Sequence, residues 1–222
     1  MVPDLPAAGT VIVHIVDPAS VADPHGDLIS AEQELAARFR FEKDAVHWRA
    51  CRAALRRILG RALGIPTPEL TLITGEFGKP ALPEPYIGLH FNLSHCEDLA
   101  LVALSREGPV GVDIEAAGRA PSLLGCEASF CHPEEIALLP DQEGARAAAL
   151  LEIWTRKEAL LKALGTGMSL APETVSLAGK ESHPRLAPFT VRHLSHPLLA
   201  RHVARLAVQE GVAKVSYDIF QG

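Results

Sequence analysis

Two long helix-forming segments, each followed by a glycine, are the strongest constraint on how this chain folds. The first, Asp44–Leu63, is rich in Ala, Leu and Arg and is followed by Gly64. The second, Gly144–Leu164, is followed by Gly165. Glycine commonly ends helices because it adopts the left-handed conformation at little steric cost. The pattern therefore predicts two helices of similar length, one in each half of the chain.

Strand-like segments flank both predicted helices. Val11–Asp17 is rich in β-branched residues, and three candidate strands, Leu70–Thr74, Gly88–Leu93 and Leu99–Ser105, follow the first helix. Val110–Glu115 precedes the second helix and alternates apolar with polar residues. The order strand, helix, strands thus occurs twice. It predicts an α+β fold made of two similar α+β halves.

We place the boundary between the halves after residue 107, which gives an N-terminal half of residues 1–107 and a C-terminal half of residues 108–222. The connecting segment is short, so we expect the halves to pack tightly. Two shorter helices are predicted, one capped by Ser30 with Gln33 in a capping box and one beginning at Pro133. After about Pro172 the chain has short β-like runs in which we identify no chemistry.

The net charge of −6 argues against nucleic-acid binding, which needs a basic surface. No apolar run reaches the roughly 18 residues expected of a membrane span. The N-terminal residues lack the basic and apolar pattern of a secretion signal. We therefore expect a cytoplasmic protein that binds no membrane, and we expect it to be a monomer.

The cysteines contain no CxxC pair and are expected to be buried thiols rather than disulfides. They are Cys51, Cys96, Cys126 and Cys131. A zinc site built from Cys126, Cys131 and His132, with His95 as a further ligand, is an alternative. Its spacing fits no standard zinc pattern, so we disfavour it.

Asp113 and Glu115 form the first cluster with recognisable chemistry. They are two residues apart in a predicted strand, so their side chains point to the same side. Two adjacent carboxylates repel each other unless a cation lies between them or one is protonated. A hard cation such as Mg²⁺ is the natural partner for such a pair. The alternative is an ordinary solvated strand edge.

Trp154, Glu158 and Lys162 form the second cluster, because they are four residues apart along the second predicted helix. Glu158 is a candidate third carboxylate for the cation, and Lys162 is a candidate partner for a phosphate beside it. The alternative is a surface ion pair that contributes only a few tenths of a kcal/mol.

Ser94 and His95 follow a predicted strand and are candidate donors to phosphate oxygens. A serine hydrolase is the alternative, but adjacent side chains rarely form a nucleophile–base pair, and the G-x-S-x-G signature is missing. Lys79 is an isolated cation followed by Pro80, so it does not belong to a Walker loop. The first long helix also carries an arginine row that is typical of a solvated face or of an anion contact: Arg49, Arg52 and Arg56.

Five sequence blocks together resemble the phosphopantetheinyl transferases of the surfactin-synthetase type. In chain order they are FGKP, FNLSH, VGVDIE, FCHPEE and WTRKEALLKALGTG. The resemblance covers roughly residues 44–169, and its most specific parts are G-V-D-I-E and W-x-x-K-E-A-x-x-K. It implies a pseudo-twofold pair of α+β halves with coenzyme A bound between them.

The resemblance also implies roles for individual residues. The Mg²⁺ ligands would be Asp113, Glu115 and Glu158. The groups that hold the phosphates of coenzyme A would be Lys79, Ser94, His95 and Lys162, and Asp113 would also lie against the coenzyme. Arg49 and Arg52 lie where the family often places a cation for the adenosine 3′-phosphate. Upstream of them the chain lacks the family's lysine-rich segment, and Glu32 and Leu35 occupy that region.

The implied reaction moves phosphopantetheine from coenzyme A to a serine of an apo acyl, peptidyl or polyketide carrier protein and releases adenosine 3′,5′-bisphosphate. Glu158 is the candidate general base and Lys162 the candidate stabiliser of the leaving phosphate. The rival functions are a metal-dependent phosphoester hydrolase and a coenzyme A-binding protein without turnover. We expect the carrier to dock on Pro121–Leu139 through Leu123, Leu124 and Phe130, unless these residues are core.

Overall fold

The structure is a computed structural model that describes residues 4–178 and 186–222. Its helices are α1 (Ser30–Ala36), α2 (Glu42–Leu63), α3 (Pro133–Ile136) and α4 (Glu143–Leu164). Its first strands are β1 (Thr10–Val16), β2 (Ile73–Thr74), β3 (Pro80–Ala81), β4 (His90–His95) and β5 (Ala100–Ser105). The later strands are β6 (Val110–Ala116), β7 (Phe189–His193), β8 (His202–Gln209) and β9 (Lys214–Ile219). None of the helices in the described ranges is long and apolar enough to cross a membrane.

The first sheet has the strand order β4-β5-β1-β9, and its core packs against α2. Strand β1 pairs antiparallel with β5 and parallel with β9. The strand nearest the C-terminus therefore completes the sheet of the N-terminal half. This sheet contains strands from both sides of residue 107. The division of the chain at that residue stays a prediction.

The second sheet has the strand order β6-β8-β7 and is antiparallel throughout. Helix α4 packs on β6 and β8. Like α2, it has 22 residues and ends at a glycine in the left-handed conformation, with φ of 71° at Gly64 and 75° at Gly165. The predicted mixed α+β fold in two parts, each with a sheet and a long helix, is confirmed.

The two sheets share an apolar core. Val13 and Leu101 of the first sheet belong to one buried cluster with Val112 and Leu206 of the second. Side chains of β4 also bind the backbone edge of β6 that β8 leaves open. The Val112 N–H donates to Asn92 Oδ1 at 2.8 Å, and the Ile114 N–H donates to Ser94 Oγ at 3.4 Å. The halves are therefore tightly packed, as expected.

Two local predictions are wrong. Ser30 does not cap α1, because the helix begins at Ser30 itself and the Glu32 carboxylate instead accepts from the Ile29 N–H at 3.2 Å. Glu32 can do this because it stands three residues after Ile29, the spacing of a capping box. The strand predicted over Leu70–Thr74 shrinks to Ile73–Thr74, since the short 3₁₀ turn at Thr67–Glu69 carries the chain up to Leu70.

Lys157 links two of the five sequence blocks, FCHPEE and WTRKEALLKALGTG, through contacts of its side chain. Its ammonium group is buried and lies 2.6 Å from the Glu135 carboxylate. It also donates to the carbonyl oxygens of Phe130 at 2.8 Å and Pro172 at 2.9 Å. Burial lowers the pKa of Lys157, and Glu135 opposes that shift. The lysine thus ties α4 to the segment that begins α3.

Candidate active site

Asp113, Ser94 and Lys162 meet where the two halves join. Ser94 lies on β4, Asp113 on β6 and Lys162 on α4. Ser94 Oγ donates to Asp113 Oδ1 at 2.9 Å, and Lys162 Nζ donates to Asp113 Oδ1 at 2.6 Å and to Ser94 Oγ at 2.9 Å. Three residues from separate sequence blocks therefore form one hydrogen-bonded group.

Glu115 and Glu158 place two further carboxylates beside Asp113. Glu115 Oε1 accepts from Trp154 Nε1 at 2.9 Å and from Arg119. The Glu158 carboxylate lies 4.0 Å from Lys162 Nζ. Burial raises the pKa of Glu158, and the charges of Asp113 and Glu115 raise it further, whereas Lys162 opposes the rise. Glu158 is therefore a partly desolvated carboxylate within the electrostatic reach of Asp113, Glu115 and Lys162.

Asp113 shows that the site suits a hard cation. Its side chain is only 3% exposed, so it is not the solvated strand edge that was the alternative. Its Oδ2 atom is buried and has no hydrogen-bond partner among the residues that the structure describes. A buried, unpartnered carboxylate oxygen is costly unless a cation or a proton binds it. Carboxylate oxygens are also the ligands that Mg²⁺ prefers.

A cleft of about 1430 Å³ opens next to this group and is lined by residues of both halves. His95 and Glu115 form part of its wall. Partial desolvation of the imidazole at the cleft wall, with smaller contributions from His47 and Lys162, lowers the pKa of His95 to about 4. His95 is therefore a neutral hydrogen-bonding group at physiological pH.

The cleft wall also contains basic side chains that the sequence did not single out. They are Lys43, His47, Arg119, Arg201 and His202. Lys43 and His47 are four residues apart on α2, so a search for cations one helical turn apart would have found them. Arg119, Arg201 and His202 reach the cleft through loop and strand packing, for which the local sequence contains no signal.

Lys79 lies at the junction rather than on the cleft wall. Its Nζ atom donates to the carbonyl oxygens of Val110 at 2.9 Å and Ala163 at 3.3 Å, one on β6 and one on α4. Burial lowers the pKa of Lys79 to about 8. The predicted contact of this lysine with phosphate stays a prediction.

The arginine row of α2 is engaged by acidic residues of the same half. Arg49 pairs with Glu42, and Arg52 Nε donates to Glu32 Oε1 at 2.5 Å. Neither arginine lines the cleft. The interpretation of a solvated row is wrong for Arg56, which is 0% exposed and donates to Glu32 Oε2 at 2.6 Å. The proposed 3′-phosphate contacts of Arg49 and Arg52 stay predictions.

The disfavoured zinc ligands do not come together among the described residues. His95 is instead grouped with His47 and Cys51. The cysteines are free thiols, as predicted, but the expectation that they are buried is wrong for Cys96, which is half-buried, and for Cys126, which is exposed. In the expected docking segment, Leu123 and Phe130 are buried core residues and Leu124 packs half-buried against the same cluster, which favours the core alternative for all three.

Known proteins match both halves of the chain. A sequence model of the 4′-phosphopantetheinyl transferase superfamily matches residues 109–208, and a model of a 4′-phosphopantetheinyl transferase N-terminal region matches residues 26–107. The 4′-phosphopantetheinyl transferase HetI of Nostoc is 34% identical over 160 residues, which are 70% of this chain and 67% of that protein. The chain belongs to the 4′-phosphopantetheinyl transferase superfamily.

Other members of this superfamily give shorter matches. The 4′-phosphopantetheinyl transferase gsp of Aneurinibacillus migulanus is 31% identical over 137 residues, or 62% of this chain and 56% of that protein. The 4′-phosphopantetheinyl transferase AcpT of Escherichia coli is 43% identical over 122 residues, or 53% of this chain and 57% of that protein. These matches span little more than half the length of each of these two relatives.

Proposed function

We propose that this chain transfers phosphopantetheine from coenzyme A to a serine of an apo acyl, peptidyl or polyketide carrier protein. The observation that carries the proposal is the meeting of Ser94, Asp113 and Lys162 in a transferase-superfamily fold, with Glu115 and Glu158 beside them. The relatives are named as transferases of this kind, which supports the reaction type. The resemblance of the sequence blocks supports the surfactin-synthetase type within the superfamily.

Asp113, Glu115 and Glu158 are the residues that would hold Mg²⁺. The buried, unpartnered Oδ2 atom of Asp113 and the raised pKa of Glu158 both fit a cation among these carboxylates. When bound, Mg²⁺ would supply positive charge beside the pyrophosphate, which stabilises charge that develops in the transition state. Without the ion, Lys162 already neutralises part of the carboxylate charge, through its ion pair with Asp113.

Coenzyme A would lie in the cleft between the halves. Ser94 and His95 would donate to its phosphate oxygens, together with Lys79 once its present contacts with carbonyl groups are exchanged. Lys43 and His47 add cationic or hydrogen-bonding groups on the α2 side of the cleft. Arg49 and Arg52 would contribute only if they exchanged Glu42 and Glu32 for the adenosine 3′-phosphate.

The reaction begins when the carrier serine oxygen attacks the β-phosphorus of coenzyme A. A new bond forms between that oxygen and the phosphorus, and the bond from phosphorus to the bridging oxygen breaks. The leaving group is adenosine 3′,5′-bisphosphate. Glu158 takes the serine proton, directly or through a water molecule. Lys162 stabilises the charge on the leaving phosphate.

The test is incubation of the protein with coenzyme A, Mg²⁺ and a panel of apo carrier proteins, followed by intact-mass measurement. A mass increase of one phosphopantetheine group on the carrier is expected, and a carrier whose acceptor serine is replaced by alanine should show none. Free phosphopantetheine without modified carrier would identify a hydrolase instead. Coenzyme A binding without either product would identify a binding protein.

A further inference from the structure

His47, Cys51 and His95 bring three metal-binding atoms together on the α2 side of the cleft. His47 and Cys51 are one turn apart on α2, and His95 ends β4. His47 Nε2 lies 3.2 Å from His95 Nδ1 and 3.5 Å from Cys51 Sγ. All three ligand atoms lie within 4.8 Å of one another. None of the carboxylates assigned to Mg²⁺ belongs to this group.

The separations of these atoms match the edges of a zinc coordination tetrahedron. Zinc–nitrogen bonds of about 2.0–2.1 Å and zinc–sulfur bonds of about 2.3 Å place two nitrogen ligands about 3.3 Å apart and a nitrogen and a sulfur about 3.6 Å apart. The observed 3.2 Å and 3.5 Å are close to both values. Two of the three separations therefore have the lengths that zinc requires, and the third pair, Cys51 Sγ and His95 Nδ1, lies within 4.8 Å.

The burial of the three residues decreases toward the cleft. Cys51 is buried, His47 is half-buried and His95 is exposed, and both histidines line the cleft. A cation would therefore enter from the cleft, and a fourth ligand position would face water. Imidazole nitrogens and a thiolate are ligand types that zinc uses, and three protein ligands with one open position is the arrangement of its catalytic sites.

A second group, formed by Cys96, Asp98 and His202, lies on the same cleft wall and is organised around a carboxylate. There Asp98 Oδ1 accepts from His202 Nε2 at 2.8 Å and from Cys96 Sγ at 3.4 Å, so the carboxylate accounts for the clustering. The His47 group has no carboxylate, and its two imidazoles share a single short contact.

We propose that His47, Cys51 and His95 form a binding site for Zn²⁺ or a similar borderline-soft divalent cation, separate from the Mg²⁺ site. Binding forms bonds from the metal to His47 Nε2, His95 Nδ1 and Cys51 Sγ, and the Cys51 thiol releases its proton to solvent. Thiolate and imidazole ligands favour zinc over magnesium, which prefers oxygen ligands. The two ions should therefore not displace each other.

Zinc at this site would inhibit the enzyme, an effect that rests on the proposed function. His95 is a proposed donor to the phosphates of coenzyme A, and zinc would occupy its Nδ1 atom and reorient its ring. Coenzyme A should therefore bind more weakly to the zinc-loaded protein, and a zinc chelator should reverse the effect.

The decisive experiment titrates the full chain with Co²⁺, whose bonds to thiolate give a charge-transfer band in the near ultraviolet. One equivalent of Co²⁺ should produce the band, one equivalent of Zn²⁺ should remove it, and excess Mg²⁺ should leave it unchanged. Cys51→Ser should abolish the band, whereas the matched Cys126→Ser variant, at an exposed cysteine, should keep it. His47→Ala should weaken Zn²⁺ binding by more than about tenfold, because it removes a direct ligand.

A thermal melt verifies that each variant is folded, so loss of the band reports the ligand and not unfolding. Absence of the band in folded wild-type protein, or its persistence in Cys51→Ser, would refute the zinc site, and a hydrogen-bonded imidazole pair would then explain the cluster. In transfer assays, Zn²⁺ should raise KM for coenzyme A in the wild type and not in Cys51→Ser. The cobalt band needs no catalysis, so failure of the transferase proposal would leave this test intact.

Discussion

At the scale of single residues, Asp113 connects the two parts of the site. One of its oxygens is held by Ser94 and Lys162, and the other is buried without a partner among the described residues. This division leaves one oxygen of a fixed carboxylate free for a cation. A carboxylate that is already oriented by the protein loses little conformational freedom on binding, which favours both affinity and catalysis.

Asp113→Asn should therefore reduce phosphopantetheine transfer by about 100-fold or more, the scale of losing one electrostatic stabiliser. The amide keeps the size of the side chain but loses its charge, so the melting temperature should change little. Carrier modification measured by intact mass gives the rate, and Asp141→Asn, at an exposed position, is the control. In the wild type, a chelator should stop transfer and Mg²⁺ should restore it. Full activity in chelator would contradict a magnesium site.

Lys162 is expected to act on the transition state more than on the bound coenzyme. Lys162→Ala should lower kcat by about 100-fold while raising KM for coenzyme A much less, because the leaving phosphate gains charge only as the bond breaks. Steady-state kinetics separate the two parameters, and Lys214→Ala provides an exposed lysine control. If only KM changed, Lys162 would be a binding contact.

At the scale of elements, Gly111 sets the distance between β6 and α4. A Cβ atom at this position would lie 2.0 Å from the Ala159 carbonyl oxygen and 2.3 Å from the Ala163 nitrogen, both backbone atoms of α4. Only glycine allows the helix to lie this close to the strand. The approach would matter for the proposed function, because α4 carries Glu158 and Lys162 and β6 carries Asp113.

Gly111→Ala should lower the free energy of unfolding by more than the 1–3 kcal/mol typical of overpacking, because the clash is with backbone atoms that cannot rotate away. Transfer should be lost as α4 moves from β6. Urea denaturation and the mass assay measure the two effects. Gly88→Ala is the control, since a Cβ there meets no atom within 4 Å. Equal stability of the two variants would mean that α4 can shift freely.

Glu32 joins α1 to α2 through two arginines. Its carboxylate accepts from Arg52 at 2.5 Å and from Arg56 at 2.6 Å, and Arg56 is fully buried. Arg56 also donates to the carbonyl oxygens of Thr67 and Leu70, which fixes the turn after α2. Glu32 thus has a structural role in this chain, in the region where the resemblance implies a lysine-rich segment.

Glu32→Ala should cost about 3–5 kcal/mol in the free energy of unfolding, because it leaves the Arg56 charge buried without its partner. The exposed Glu34→Ala substitution on the same helix should change stability by less than about 0.5 kcal/mol. Chemical denaturation compares the pair. A similar, small loss in both variants would show that Arg56 finds another partner or becomes hydrated.

At the scale of the whole molecule, the carrier must approach a protein with a net charge of −6. Such a charge provides little long-range attraction for acidic carriers, so docking would depend on local apolar contacts. Within Pro121–Leu139 the exposed large hydrophobic side chain is Leu138, at 73%, whereas Leu123 and Phe130 are core. Leu138 therefore replaces its neighbours as the residue that we expect to contact the carrier.

Leu138→Asp should raise KM for the carrier by about tenfold, the effect of losing roughly 1.4 kcal/mol at an interface, while KM for coenzyme A and the melting temperature stay near wild type. Leu124→Asp is the contrasting variant, because it places a charge against a packed cluster and should lower the melting temperature. An unchanged KM for the carrier in Leu138→Asp would place the docking surface elsewhere.

Local patterns in the sequence determined the helices, the strands β1, β4, β5 and β6, and the pairing of carboxylates, whereas β3 and the strands β7, β8 and β9 were not located. Helix α2 ends at Leu63 and α4 at Leu164 because each is followed by a glycine with positive φ. Asp113 and Glu115 share a side of β6 because side chains alternate along a strand. These features depend on neighbours within a few residues, so periodicity and turn chemistry were enough to predict them.

Only the tertiary structure decided which side chains are partners across the chain. Lys157 and Glu158 are adjacent in one sequence block, yet Lys157 is buried on Glu135 whereas Glu158 points toward Asp113, since neighbouring positions on a helix face different directions. The pairing of β9 with β1 and the meeting of Cys51 with His95 likewise join distant segments. Such contacts arise when sheets and helices pack together to bury apolar surface. The spacing of apolar residues within one segment does not determine which distant segment it will contact.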